Sequence, residues 1–517
     1  MKKALTLLLC TVMLVSMFIG CGTSEEGNQT DKITSFSVGY SKVDITPNDP
    51  VPLAGFGDNN ERISTGALDP ICATCIAFSD TEGNTVIVFG LDMLNTPEDI
   101  VKLAREQINA ATGIPTTHIQ FTASHTHNSY DQASTGNPHV AKARTKFLEQ
   151  CVKAAQEALA DRKPAKMFGS FSRPDNLNFV RHYVLSDGTY QAYKLGTLPR
   201  DQIYGHKWKA DNLLQVIKFT REGGKDIVLV NWQSHYYGSN GVESDYYKLS
   251  ADYPGALRDE LETQLDCHAA FILGGGGNIN CTSQIKSENH NKGYVEHGKM
   301  LAASAIESMQ NMQPLETGTI QLKQHDFVAP NTIAENELTA FGFGDFGMVF
   351  APWEIFDIHA KGVRDDSKYT YTYYASCANG GWGNRYLAHE ESFSYYCYES
   401  STARYPMGTA ELVQEALTKL INECFDASGQ TQKKRADGYT STPYIPVSDG
   451  LVYTNPQPGN MDTFKLGVNG YYYTMFIEGT NVKQLLIKNE EIAKQMSEKA
   501  TMKLVFDDSN IVVGIAE

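Results

Sequence analysis

Past residue 20 the chain has no run of about eighteen apolar residues, so no later segment is long enough to cross a bilayer as a helix. A basic excess is also missing. The 44 Lys and Arg stand against 60 Asp and Glu, and the formal net charge of −16 leaves no footprint for nucleic acid and little attraction to anionic lipid. Cysteine is scarce for 517 residues: there are ten. Cys72-Ala73-Thr74-Cys75 has no second pair to complete a metal motif, so buried free thiols are the expectation there. No internal repeat is visible, and the glycine-rich stretch near residue 275 is not a P-loop, because no Gly-Lys-Ser/Thr follows it.

What is present begins with a leader. Met1-Lys2-Lys3 is a positive n-region, and Ala4 to Ile19 is a short apolar h-region. Gly20-Cys21 follows, in the pattern of a bacterial lipoprotein signal whose cysteine becomes N-terminal and acylated. Residues 1–20 are therefore expected to be a signal peptide, Cys21 a membrane lipid anchor and residues 21–34 a polar tether. A simple secretory leader is the alternative. The protein is expected to be exported, surface- or periplasm-facing, and soluble apart from its anchor.

From residue 35 strands and helices alternate. Thr85-Val86-Ile87-Val88-Phe89-Gly90-Leu91 reads as a buried strand, and Thr96-Pro97-Glu98-Asp99 as a helix start with an N-cap, a first-position proline and acids in the first turn. Further strands are expected near 71–78, 118–123, 166–171, 213–219, 226–232, 269–273, 348–351 and 369–377. Helices are expected near 140–159, 253–265, 292–310 and 409–424. The pattern is α/β: a mixed sheet flanked by helices forming a metallohydrolase domain over residues 35–428. A polar linker and a small β-rich accessory domain, with no catalytic signature, are expected over 429–517.

The chemistry-bearing residues cluster at strand ends. His125-Thr126-His127 closes the strand at 118–123, and residues two apart on a strand share a face, so the two imidazoles would project together as the start of a zinc site. His235 closes Leu229-Val230-Asn231-Trp232-Gln233-Ser234, and Ser250-Ala251-Asp252-Tyr253-Pro254-Gly255 opens the next helix. Phe271-Ile272-Leu273 runs into four glycines, 274–277, which allow backbone to approach a site closely. Asp92 ends a buried strand and is read either as a partner orienting a histidine or as a capping or loop-bonding residue.

In this order the motifs resemble the neutral/alkaline non-lysosomal ceramidase family, over roughly residues 36–425. Asp44-Ile45-Thr46-Pro47, Gly55-Phe56-Gly57, Arg181-His182-Tyr183-Val184-Leu185-Ser186-Asp187-Gly188, Pro352-Trp353-Glu354 and the Tyr386–Glu399 segment add to the likeness. The resemblance implies one Zn2+ held by His125, His235, Glu354 and Tyr386. Trp353 stands where the family has glycine, and Arg385-Tyr386-Leu387-Ala388 where it often has Gly-Tyr-Ile-Pro. It implies an amidohydrolase in which zinc activates water against the N-acyl amide of ceramide or a related N-acylated amphiphile. His127 is then a proton-handling neighbour rather than a ligand. Arg181 and Tyr398 are candidates for binding the developing oxyanion, against plain roles as an ion pair and a core aromatic.

One departure bears on substrate. Gly277-Asn278-Ile279-Asn280-Cys281-Thr282 stands where the family reads Gly-Asp-Val-Ser-Pro-Asn, so Asn280 replaces a serine beside the metal and would orient water or substrate. Two other readings stay open: a zinc hydrolase of a different amide or ester, and a non-catalytic lipid- or glycan-binding lipoprotein on the same scaffold.

Overall fold

Strand burial in this chain follows a two-residue period in which neither face meets water. In β2 (Cys72–Ser79), Ala73, Cys75 and Ala77 join one apolar core while Ile76 and Phe78 join another. In β3 (Thr85–Leu91), Ile87, Phe89 and Leu91 face the first core and Val86 and Val88 the second. A strand buried on both faces needs a layer on each side. The computed structural model shows both layers. It describes residues 34–516 apart from 57–61, 193–197, 239–242, 289–292, 381–385, 434–451 and a few shorter gaps. The leader, Cys21 and the tether up to residue 33, and most of the expected linker, lie outside the described residues.

The main sheet has nine strands. Its path runs from His268–Leu273 through Ile227–Trp232, Leu214–Arg221, β5 (Lys163–Ser172), β1 (Ser37–Asp44), β2 and β3 to β4 (Ile119–Ala123), with Gln313–Leu315 also pairing β5. The first pair and the last pair on this path are parallel and the other pairings antiparallel, so the sheet is mixed, as expected. One face is covered by α1 (Glu98–Thr112), α2 (Pro138–Ala160), α3 (Asp252–Leu265) and α4 (Tyr294–Met309).

The other face meets a second sheet instead of helices. Gln321–Val328, Glu335–Phe343, Phe346–Phe350 and Tyr371–Ala375 form four strands, and Phe341, Phe343, Phe346, Met348 and Tyr373 pack against Val38, Phe78 and Ile217. The outer face of this sheet is covered by α5 (Asp357–Asp366) and, past α6 (Tyr398–Thr402), by α7 (Thr409–Ala427). The expected single sheet between helical layers is therefore doubled into helix, sheet, sheet, helix. Beyond α7 a six-stranded sheet with α8 (Glu490–Glu498) has its own small core, but Leu486 and Ile511 pack with Phe393, Tyr395 and Met407 of the preceding segment.

The two halves of the main sheet join through a two-residue β1/β5 pairing. Away from that corner, the carboxyl ends of β4 and of His268–Leu273 are tied together by residues 376–379. Ser376 N donates to Leu273 O at 2.9 Å, Thr122 Oγ1 to Ser376 O at 2.7 Å, and Asn379 N to Phe121 O at 2.9 Å. Loops that leave strand ends far apart along the sheet path thus open at one place. Among the described residues the cysteines are all free thiols, and all but the half-buried Cys72 are buried. Three residues apart on β2, Cys72 and Cys75 point to opposite faces.

Candidate metal centre

Three imidazoles and one carboxylate converge where these loops open. His125 Nε2 lies 3.1 Å and His235 Nε2 3.2 Å from the same oxygen, Glu354 Oε2. His127 Nε2 is 3.3 Å from His125 Nε2, and the Tyr386 hydroxyl is 3.4 Å from His235 Nε2. All five side chains are buried or nearly so.

The His-x-His pair is not on a strand. β4 ends at Ala123, and His125 has a left-handed backbone with φ of 63°. The strand-face expectation is therefore corrected: the two rings meet through a turn, which allows them to lie edge to face, 81° apart. The turn aims His125 Nδ1 at Leu94 O, 2.9 Å away. His235 Nδ1 makes the matching bond to Gly276 O at 2.6 Å. A carbonyl accepts only, so each Nδ1 carries a proton and each Nε2 faces Glu354, where its lone pair would serve an ion once that nitrogen is deprotonated.

The glycine run explains how Glu354 comes so close. A Cβ on Gly277 would stand 2.6 Å from Glu354 O and 2.9 Å from Ile355 O, and Gly277 N donates to Ile355 O at 2.8 Å. Glu354–Ile355 pairs in parallel with Tyr386–Leu387, placing Glu354 beside Tyr386 in register. On the other side, Gly55 has φ of 110°, and a Cβ there would overlap the His127 ring at 2.4 Å. Tyr236 stacks on that ring with centroids 3.7 Å apart.

Electrostatically the cluster is coupled through Glu354. Burial opposes ionisation of Glu354, but His125 and His235 outweigh it and hold its carboxyl well below the usual range. Burial likewise opposes a charge on His125, and Glu354 and Cys377 outweigh it in raising that imidazole. His235 is pushed down to about 4 by burial and then by Arg181, and His127 is pushed well down by burial and its two neighbours. Glu354 Oε2 is buried with no hydrogen-bond partner. A divalent ion bound at 2.0–2.1 Å holds neighbouring donors about 3.3 Å apart in a tetrahedron. The three separations among His125, His235, Glu354 and Tyr386 match that spacing, and imidazole with carboxylate is a donor set zinc accepts, so the residues present fit the expected ion.

His127 differs from the other two histidines. Its Nδ1 is buried with no hydrogen-bond partner among the described residues, so nothing fixes its tautomer. Arg181 lies beside the cluster: Nε donates to Glu399, Nη2 to Gly277 O at 2.7 Å and Nη1 to Asn280 Oδ1 at 3.4 Å, and the guanidinium sits 5.4 Å over the Tyr386 ring. Its ion pair is thus buried rather than on the surface. Tyr398 is half-buried and meets Tyr386 edge-on at 5.8 Å. Asn278 does not face the metal: its amide bonds Asp357 Oδ1 and N, both at 2.8 Å. Asp92 orients no histidine. Its carboxylate binds Arg258 of α3 through two bonds of 2.8 and 2.6 Å and accepts from Cys72 N at 2.8 Å, so it is a buried ion-pair residue, a role neither expectation named.

Sequence reasoning missed Glu399, Tyr236 and Arg62, whose guanidinium donates to His127 O. Glu399 sat unremarked at the end of a quoted segment, and Tyr236 beside His235. The scaffold is a doubled-sheet α/β fold with buried histidines and a carboxylate gathered near its strand ends. The particular fold is that of neutral ceramidase. The chain is similar to a solved neutral ceramidase from Pseudomonas aeruginosa (TM-score 0.59, 14% identity, 93% of this chain and 92% of that one). It is equally similar to a ceramidase complexed with C2 (TM-score 0.59, 14% identity, 86% and 85%). No family model and no curated protein matches the sequence.

Proposed function

We propose that this protein is a zinc-dependent amidohydrolase acting on the N-acyl amide of ceramide or a related N-acylated lipid. The observation that carries the reading is the convergence of two carbonyl-oriented Nε2 atoms on one Glu354 oxygen, on a fold shared with ceramidase. His125, His235, Glu354 and Tyr386 would hold the ion. When bound, zinc supplies a Lewis acid and brings the pKa of water towards about 7.

The chain's own residues supply the rest. Leu94 O and Gly276 O keep the His125 and His235 lone pairs pointed inward. His127 Nε2, neutral and unanchored at Nδ1, takes a proton from the attacking water and returns it to the leaving amine. Arg181 and Tyr398 lie on the Tyr386 side, where charge would develop on the carbonyl oxygen. An exported chain anchored through Cys21 would meet amphiphilic substrates at a membrane surface.

Asn280 supports a second reading. Its amide stands beside Arg181 where the family has a serine hydroxyl, which opens the substrate to a different amide or ester. The test is metal analysis of the folded protein with hydrolysis of a fluorescent short-chain ceramide, alongside N-acyl amino acid and acylated-sugar substrates. Stoichiometric zinc with ceramide turnover supports the first reading. Zinc with turnover of another substrate alone supports the second. Folded protein that binds no metal, or one that binds intact lipid without turnover, sinks both.

A further inference from the structure

We propose that His359, His389 and Glu411 bind a second divalent transition-metal ion of the zinc type, at a site separate from the first centre and built from none of its residues. His389 Nδ1 lies 2.9 Å from Glu411 Oε1 and 3.3 Å from His359 Nε2, and His359 Nε2 lies 3.4 Å from Glu411 Oε1. These are again the separations of donors around a tetrahedral ion with bonds of 2.0–2.1 Å.

The orientation of His359 is set from behind. Its Nδ1 is 2.8 Å from Gln414 Oε1, an acceptor, so the proton sits on Nδ1 and the Nε2 lone pair faces the cluster. The His359 side chain is almost wholly buried, at 2% exposure. Glu411 Oε1 also accepts from Glu390 N at 2.9 Å, while Oε2 is buried with no hydrogen-bond partner. A buried carboxylate oxygen left without a donor is costly, and a cation at this spot would satisfy it as a further ligand. His389 and Glu411 keep 16% and 30% of their side chains exposed, which gives the ion an entry path.

The three donors come from α5, from the turn after Tyr386–Leu387 and from the first turn of α7. His359 follows Glu354–Ile355 and His389 follows Tyr386–Leu387, the two short strands that carry candidate ligands of the first centre. The second ion therefore clamps, from outside, the frame that holds Glu354 and Tyr386.

Metal content of the full chain, loaded with zinc alone after chelation and desalting, decides the matter. Wild type should bind two equivalents, and His389→Gln, Glu411→Gln and His125→Ala one each. Cobalt(II) titration guards against misfolded variants: His125→Ala should still give the visible bands of a four-coordinate nitrogen–oxygen site, and adding His389→Gln should abolish them while circular dichroism is unchanged. The proposal is overturned if His389→Gln and Glu411→Gln hold as much zinc as wild type, or if His125→Ala binds no cobalt. A wild type that binds one equivalent, which His389→Gln removes and His125→Ala keeps, would support this site and count against the first centre.

Discussion

At the scale of single residues, the three histidines of the first centre are unequal in what stands behind them. His125 and His235 each lean on a carbonyl, whereas His127 rests on an aromatic face and a glycine. Replacing His125 with Ala should remove zinc from the first centre while leaving any at the His389 site. Replacing His127 should leave zinc in place and lower kcat by about 100-fold or more, the usual worth of a proton-transferring group. Equal metal loss in both variants, read by mass spectrometry of the metal, would show His127 to be a third imidazole ligand. Arg181 and Glu399 form a buried ion pair, and removing one partner strands the other, so Glu399→Gln should cost about 3–5 kcal/mol in urea unfolding. Burial alone would raise the Glu399 carboxyl, but Arg181 and His182 outweigh it and hold it far below the usual range. Because the folded value is depressed, the pair contributes fully above the unfolded pKa of about 4.3 and is lost as pH falls from there through the folded value. The stability gap between wild type and Glu399→Gln should therefore narrow as pH is lowered from about 6 to about 3.

At the scale of elements, Gly277 is the tightest joint in the centre. A methyl group there would press on the Glu354 carbonyl, so Gly277→Ala should destabilise by about 1–3 kcal/mol and weaken zinc binding more than Gly83→Ala, whose glycine has open space around it. Parallel titrations with a zinc chelator would check this. The elements that were legible in sequence are those with strong periodicity or caps. β3 is a buried, largely apolar run, and α1 starts at Glu98 close to where it was expected, although Pro97 and not Thr96 holds the cap position and Thr96 Oγ1 donates instead to Cys377 O. Two strands of the second sheet and α5 were not legible. Gln321–Val328 carries Lys, Gln, His and Asp on an exposed edge, and α5 buries Asp357, His359, Lys361 and Arg364, so neither shows an apolar pattern. These residues are stabilised by partners distant in sequence, which no local window contains. His125 and His235 were legible because each follows a short buried strand, whereas Glu354 and Tyr386 open two-residue strands and were named only by the family resemblance. The turn that brings His125 against His127 was not, since a left-handed histidine leaves no mark in composition.

At the scale of the whole molecule, the carboxy-terminal sheet is not an independent appendage. Leu486 and Ile511 pack with Phe393, Tyr395 and Met407, in the stretch that leads from Tyr386 through Tyr398. Deleting residues 429–517 should lower the melting temperature, expose apolar surface to a dye such as ANS and reduce turnover, even though no candidate ligand is removed. A truncated chain with unchanged melting and activity would show the sheet to be dispensable. The joining of distant strand ends by residues 376–379 has a further consequence, one of timing. The strand ends that lead to His125 and to the glycine run are tied by a segment that itself comes late in the chain, so closing the site carries the loop-closure entropy of nearly the whole catalytic scaffold. Slow, non-local pairing must finish before the donors meet. Unlike a small metal-nucleated domain, in which the ion drives folding, this chain would acquire its ion last, and metal uptake would serve as a clock for the completion of folding.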